Sequence, residues 1–124
     1  ASSGGIVAGG GTALLKVSKM IEKFISTLSG EEKTGAEIVR SALSAPIKQI
    51  CLNAGVDGGV VANEVLKNGN INFGYDALNG EFVDMFQAGI IDPAKVTLSA
   101  LRNAASVAAT LLTTESLIVE KKEN

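Results

Sequence analysis

Apolar side chains recur at spacings of three and four residues along most of the 124-residue chain, and glycine, proline or asparagine interrupts each run. This spacing is typical of amphipathic helices, whose apolar stripes pack against a common core. With 46% hydrophobic residues, a chain of this length can form one such core. The sequence therefore predicts an all-α fold, a multihelical bundle in a single domain.

The first predicted helix follows a glycine triplet and presents one apolar stripe to the core. Three lysines lie on another of its faces, and we interpret them as solvated, solubilising side chains. The stripe consists of Leu14, Val17, Ile21, Phe24 and Leu28, and the lysines are Lys16, Lys19 and Lys23.

Capping residues and breakers divide the next part of the chain into three further helices. Ser29 and Glu32 have the spacing of a capping box, which predicts a helix start. Pro46 suits the first turn of a new helix, which should bury the thiol of its cysteine and end at Gly55. Asp57 is predicted to cap a short helix after that.

The last third of the chain combines short extended segments with the longest predicted helix. Alternation near residues 71–75 predicts an extended piece, and a short helix is expected around Phe82, ending at Gly89. Asp92 and Pro93 should open a helix that reaches about residue 113. A β-prone terminal strand is expected near residues 116–120. The inner face of the long helix is predicted to contain Leu101, Ala104, Ala105, Ala108 and Leu112.

Composition excludes several classes of site and partner. Histidine is absent, so Ser-His and Cys-His nucleophile pairs cannot form, and the single Cys51 permits no internal disulfide. The net charge is -2 with both signs interspersed, so no nucleic acid is expected as a partner. No uncharged stretch approaches the roughly 20 residues of a membrane span, so no membrane is expected either.

Two features could serve a nucleotide, and each also has a purely structural reading. The triplet Gly9-Gly10-Gly11 between an extended segment and a helix start could let a nucleotide approach the backbone, or it could be a hinge or packing turn. Neither the dinucleotide glycine pattern nor a P-loop is present. Asp92 could accept from paired ribose hydroxyls, or it could only cap the helix at Pro93.

Six short runs in a fixed order carry more information than any of these features alone. They extend over most of the chain, from Gly5 to about Val119. The runs are Ile6-Val7-Ala8-Gly9-Gly10-Gly11-Thr12-Ala13-Leu14, Ala45-Pro46-Ile47-Lys48-Gln49-Ile50, Val60-Val61-Ala62-Asn63, Phe73-Gly74-Tyr75-Asp76-Ala77, Gly89-Ile90-Ile91-Asp92-Pro93-Ala94-Lys95-Val96-Thr97 and Ala104-Ala105-Ser106-Val107-Ala108.

In this order the runs resemble group I chaperonins of the GroEL type, in the C-terminal part of the equatorial, nucleotide-binding domain. The resemblance implies an ATP-driven chaperone built from stacked seven-membered rings, in which a co-chaperonin closes a cavity around unfolded polypeptide. It assigns residues 5–120 to the equatorial segment, residues 1–4 to a cut end or appended residues, and residues 121–124 to a disordered tail. The compartment would be cytoplasmic in a bacterium, and the mitochondrial matrix or plastid in a eukaryote.

The resemblance also implies which residues contact ATP. Gly10, flanked by Gly9 and Gly11, would lie against the nucleotide, and Asp92 would bind the ribose hydroxyls. Asp76, Ala77, Leu78 and Ile90 would border the adenine. Two positions depart from the family pattern, because Asp76 is often asparagine there and Leu78 is often a small residue.

The parts of the family that grip phosphate, bind Mg²⁺ and position the attacking water lie outside this sequence. The resemblance therefore implies no catalytic and no metal-binding residue here, and it predicts that this chain alone is inactive as an ATPase. Its expected partners are the remainder of its subunit and the ring neighbours, with co-chaperonin and unfolded polypeptide reached only through other domains. The alternatives are a stand-alone helical interaction module and a small nucleotide-binding enzyme.

Overall fold

The computed structural model describes residues 5–123, with side chains described for residues 5–113. The described chain is mostly helical, which confirms the predicted fold class, and four short strands accompany the helices. In chain order the elements are β1 (Ile6–Ala8), α1 (Thr12–Ile25), α2 (Gly30–Ala54), α3 (Gly58–Lys67), β2 (Phe73–Asp76), β3 (Glu81–Asp84), β4 (Ile91–Pro93) and α4 (Ala94–Glu123).

The core lies where α1, α2 and α3 meet and where β2 closes one end. Cys51 is fully buried in it, as predicted, and burial together with the nearby Asp57 carboxylate raises the pKa of its thiol. Asp57 caps α3 as predicted, because its side chain accepts from the Gly59 and Val60 amides. The core cluster consists of Leu15, Ile47, Cys51, Val61, Ala62, Val65 and Tyr75.

Helix α1 forms where expected, but it buries a different face from the predicted one. Phe24 of the predicted stripe is 62% exposed, whereas Leu15 and Ile25 are buried. The buried face also contains Thr12 and Ser18, whose small side chains allow close approach to the neighbouring helices. Because apolar residues occupy both faces of α1, hydrophobic spacing alone could not identify the inner one.

Helix α2 continues through Pro46, so the predicted break between a second and a third helix is wrong. A proline inside a helix costs about 3 kcal/mol through the lost hydrogen bond and steric conflict. Leu43, Ile47 and Cys51 repeat at four-residue spacing on one face and are almost fully buried. Burying each large apolar side chain contributes about 1.5–3 kcal/mol, which is enough to keep one continuous helix. At its start, the Ser29 side chain makes no cap hydrogen bond.

The predicted extended piece near residues 71–75 is β2, and the short helix expected around Phe82 is instead β3. The two strands pair as an antiparallel hairpin whose turn contains Asn79 and Gly80. Stacking between Phe73 and Phe82, with ring centroids 5.7 Å apart, favours the hairpin over a helix.

Helix α4 is the longest element, as expected, and it begins directly after β4. It continues to Glu123, so the strand predicted near residues 116–120 is wrong. Extending an existing helix is easier than starting a strand that needs a separate partner edge. Of the predicted inner face, Ala105 is exposed, whereas the other four residues are at least half-buried. Residues 1–4 and Asn124, assigned from the sequence to the termini, lie outside the described residues.

Within residues 5–123, no helix combines the length and the apolar character that crossing a bilayer would require.

Gly74 in β2 should be intolerant of a side chain. A Cβ there would collide with Thr12 Oγ1 and would lie 2.7 Å from Met85 Cγ. We expect Gly74→Ala to lower the free energy of unfolding by about 1–3 kcal/mol, the usual cost of overpacking a core. The control Gly69→Ala places its Cβ in open space, so its change should stay within about 0.5 kcal/mol. Urea unfolding followed by circular dichroism measures both, and equal effects would contradict the packing described here.

Candidate functional site

The glycine triplet forms the turn between β1 and α1, and it is built for close backbone contact. The Gly9 amide donates to the Ile90 carbonyl at 2.9 Å, and a Cβ on Gly9 would lie 3.2 Å from that carbonyl group. Gly10 and Gly11 have positive φ angles of 62° and 77°, which glycine adopts without strain. A Cβ on Gly11 would lie 2.7 Å from the Ile47 amide nitrogen, so the turn is also pressed against α2.

The segment from Ile90 to Asp92 lies beside this turn because β4 pairs antiparallel with β1. The register places Asp92 opposite Val7, two residues before the triplet. Asp92 belongs to β4 and α4 starts at Ala94, so the predicted N-cap hydrogen bond of Asp92 is not formed. Within the part of the chain that the structure describes, its exposed carboxylate has no hydrogen-bond partner.

The hairpin turn after β2 brings a third segment to the site. Asp76 is buried, and its carboxylate accepts from the Leu78 amide at 3.1 Å and from both amide groups of Asn79. The Asn79 side chain in particular holds the pKa of Asp76 below its ordinary value of 3.8. Asp76 therefore shapes the turn. Ala77 packs against the core, and Leu78 at the tip is 93% exposed.

Met85 links the glycine turn, strand β2 and the segment that begins at Ile90. Its side chain is fully buried, and its methyl carbon would lie 3.0 Å from a Cβ on Gly10. The Tyr75 carbonyl lies 3.7 Å from the same point, and the Ile90 amide donates to the Met85 carbonyl at 2.8 Å. The eight predicted site residues thus lie on three segments: the glycine turn meets Ile90 and the Tyr75 carbonyl of β2, whereas Leu78 lies at the exposed tip of the hairpin. Sequence reasoning missed Met85, although Asn79-Gly80 between two β-prone runs is a hairpin signal that would have placed it.

Lys16 and Lys19 are not free solvated lysines, so that part of the sequence interpretation is wrong. The Lys16 ammonium donates to the carbonyls of Val65 at 2.8 Å, Asn68 at 3.1 Å and Asn70 at 3.2 Å. Lys19 donates to the Leu66 carbonyl at 2.6 Å. Both satisfy carbonyls at the C-terminal end of α3, where helical partners are lacking. Partial burial, and secondarily the charge of Lys19, lowers the pKa of Lys16.

No three acidic, histidine or cysteine side chains converge as metal ligands would within the described residues. The site offers glycine backbone, the Asp92 carboxylate without a hydrogen-bond partner among the described residues, and an apolar turn.

Comparison with known proteins identifies the family that contains this arrangement. The TCP-1/cpn60 chaperonin family matches the sequence over residues 1–122, which is nearly the whole chain. The chain belongs to this chaperonin family.

A solved chaperonin structure has the same fold as this chaperonin chain. The open-state monomer of a group II chaperonin from Methanococcoides burtonii superposes with a TM-score of 0.76 at 28% sequence identity. The match covers 86% of this chain and only 27% of that one. The sequence resembles group I, and this structural relative is group II, so the two agree on the family alone.

The carboxylate of Asp76 should make the stability of the chain depend on pH in acid. Its pKa is lowered by folding, so its stabilising effect is complete above 3.8 and is lost as pH falls through the folded-state pKa. We expect Asp76→Asn to be less stable than the unsubstituted chain at pH 6, and the gap to narrow at pH 3. Urea unfolding at the two pH values measures the gap.

A suitable control for that experiment is Glu81→Gln, which removes a charge from the residue paired with Asp76. Glu81 is exposed, and no hydrogen bond to its side chain is found in the described residues. The difference in the free energy of unfolding between Glu81→Gln and the unsubstituted chain should be small at both pH values. A pH-independent gap for Asp76→Asn would contradict the turn-forming role of the carboxylate.

Proposed function

We propose that this chain forms the base and ribose side of an ATP pocket in a group I chaperonin subunit, which assists protein folding. The observation that carries the proposal is the convergence of the glycine turn, the hairpin turn and the Ile90–Asp92 segment. Family membership supports the chaperonin role, and the order of the six sequence runs supports the group I type.

The ribose would bind at Asp92. A carboxylate can accept from two adjacent hydroxyl groups, and charge-assisted hydrogen bonds of this kind are stronger than neutral ones. Asp92 is exposed and keeps both oxygens free within the described residues, while pairing of β1 with β4 fixes its backbone. The site therefore offers a preorganised acceptor that does not have to abandon another partner.

The adenine would lie between the glycine turn and the hairpin turn. Leu78 at the exposed hairpin tip and the partly buried Ile90 would offer apolar surface, and Ala77 beside Leu78 would supply a small one. Met85 occupies the side of Gly10 toward which a side chain would point, so a flat ring would approach the Gly10 backbone from another side. Asp76 is proposed to act indirectly, because hydrogen bonds within the turn already occupy its carboxylate.

The remainder of the pocket would come from other parts of the subunit. We propose that the phosphate and Mg²⁺ contacts come from there, as the resemblance to group I chaperonins implies. Val96, Val107 and Leu111 leave one side of α4 apolar and about half exposed. Such surfaces typically mark packing interfaces, so we propose that the remaining subunit or a ring neighbour covers them. Seven-membered rings, co-chaperonin and unfolded polypeptide belong to the same proposal.

Asp92→Asn should weaken nucleoside binding without affecting stability. The amide retains only one acceptor oxygen and no charge, so we expect adenosine affinity to fall about 5-fold to 10-fold, or about 1–1.4 kcal/mol. The free energy of unfolding should not change measurably, because the carboxylate makes no internal hydrogen bond in the described residues. Adenosine titration followed by NMR shifts, at concentrations reaching the millimolar range, measures the affinity.

Asp57→Ala is the matched control, since it removes an aspartate whose only described contacts cap α3. It should lower stability by about 1 kcal/mol and leave adenosine affinity unchanged. Equal adenosine affinity for Asp92→Asn and the unsubstituted chain would refute the ribose role. Absence of any adenosine response would favour the alternative, a helical interaction module without nucleotide binding.

A further inference from the structure

Lys16 links the helix that begins at the glycine turn to the loop that leads into the hairpin. A lysine ammonium has three N–H donors, and all three are used here. One bonds the Val65 carbonyl in the last turn of α3, and the other two bond the carbonyls of Asn68 and Asn70 in the following loop. This loop is thereby held against the second turn of α1.

The loop is in turn fastened to the base of the hairpin. The Asn70 side-chain amide donates to an Asp84 carboxylate oxygen at 3.2 Å, and the Met85 amide donates to the Asn72 carbonyl at 2.7 Å. Asx turns at Asn68 and Asn70 stiffen the same stretch. A displacement of the loop would therefore be transmitted to β3 and to Met85.

The contacts form a closed circuit that links the glycine turn to the base of the hairpin. From the glycine turn, α1 leads to Lys16, Lys16 to the loop, and the loop to Asp84 and Met85. Met85 closes the circuit at the glycine turn, because its methyl carbon would lie 3.0 Å from a Cβ on Gly10. Lys16 itself is more than one helical turn beyond Gly11, so it acts on the pocket only through these neighbours.

We propose that Lys16 is a positioning residue of the nucleotide site: it fixes the spacing between the glycine turn and the base of the hairpin at Met85, and through the hairpin the placement of its turn. The inference rests on the proposed function and adds to it a residue outside the pocket. Lys19 provides a natural comparison. It bonds only the Leu66 carbonyl at the end of α3, so it stabilises the same helix end without holding the loop.

The test compares three single variants of the full 124-residue chain. Lys16→Met removes all three donors and keeps the aliphatic stem, Lys16→Arg keeps the charge and supplies five donors, and Lys19→Met removes a lysine from the same helix. Two NMR readouts are needed. The first is the adenosine dissociation constant, and the second, in the absence of adenosine, is the NOE between the Gly10 α protons and the Met85 methyl group.

We expect Lys16→Met to weaken adenosine binding about 3-fold to 10-fold and to lose at least half of the Gly10–Met85 NOE intensity. Lys16→Arg should restore most of both. Lys19→Met should lower the unfolding midpoint and change neither readout. Unchanged NOE intensity in Lys16→Met, or equal losses in Lys16→Met and Lys19→Met, would overturn the proposal.

The two readouts separate this proposal from the pocket itself. If the unsubstituted chain shows no response to adenosine, the proposed nucleotide site fails. The Gly10–Met85 NOE still decides whether Lys16 fixes the spacing between the glycine turn and Met85 at the base of the hairpin. If adenosine binds and Lys16→Met keeps full affinity, the nucleotide site stands and the positioning role of Lys16 is refuted.

Discussion

The hydrogen bond between the Gly9 amide and the Ile90 carbonyl is the contact on which the rest of the site depends. It extends the β1–β4 pairing by one step and brings two segments together that are 81 positions apart in sequence. A side chain here would be crowded, since a Cβ on Gly9 would lie 3.2 Å from the opposing carbonyl group. As a result, α1 follows one end of the β1–β4 ribbon and α4 follows the other, and Asp92 lies opposite Val7, two residues before the glycine turn.

Polar groups at the ends of helices and strands then position the remaining parts. Asp57 starts α3, Asp76 shapes the hairpin turn, and Lys16 with Lys19 completes the end of α3. Each of these groups satisfies backbone atoms that the regular element leaves unpaired. In a chain whose core is small, such end contacts decide how the connecting segments are oriented. The candidate pocket residues lie on these connecting segments or at the strand residues beside them, Asp76 in β2 and Asp92 in β4, which explains why a few capping side chains influence the pocket.

The sequence predicted the helical class, the extended piece at β2 and the cap at Asp57, and the nucleotide-contacting residues stay a prediction. These features depend on local signals or on several runs in order. The errors arose where packing outweighed a local rule. Pro46 lies inside α2 because the residues around it are buried, and α4 continues through the β-prone residues near 118 because no edge is needed for a helix.

Other features could not be read from spacing at all. The inner face of α1 depends on which of two apolar faces meets α2 and α3. The three acceptors of Lys16 lie about 50 residues away in sequence, and no local pattern connects a lysine with carbonyls at that distance. Asp92 is a further example. Asp-Pro is a signal for the start of a helix, but pairing with β1 places Asp92 in strand β4 instead.

The central claim is that one nucleoside contacts all three converging segments, and intermolecular NOEs in the adenosine complex of the isotope-labelled chain test it most directly. The account predicts NOEs from the adenine H2 or H8 proton to the Leu78 and Ile90 methyl groups, and from ribose protons to the Asp92 β protons. NOEs that connect adenosine instead with Met20 and Ile71, which line the groove between α1 and the loop after α3, would contradict it.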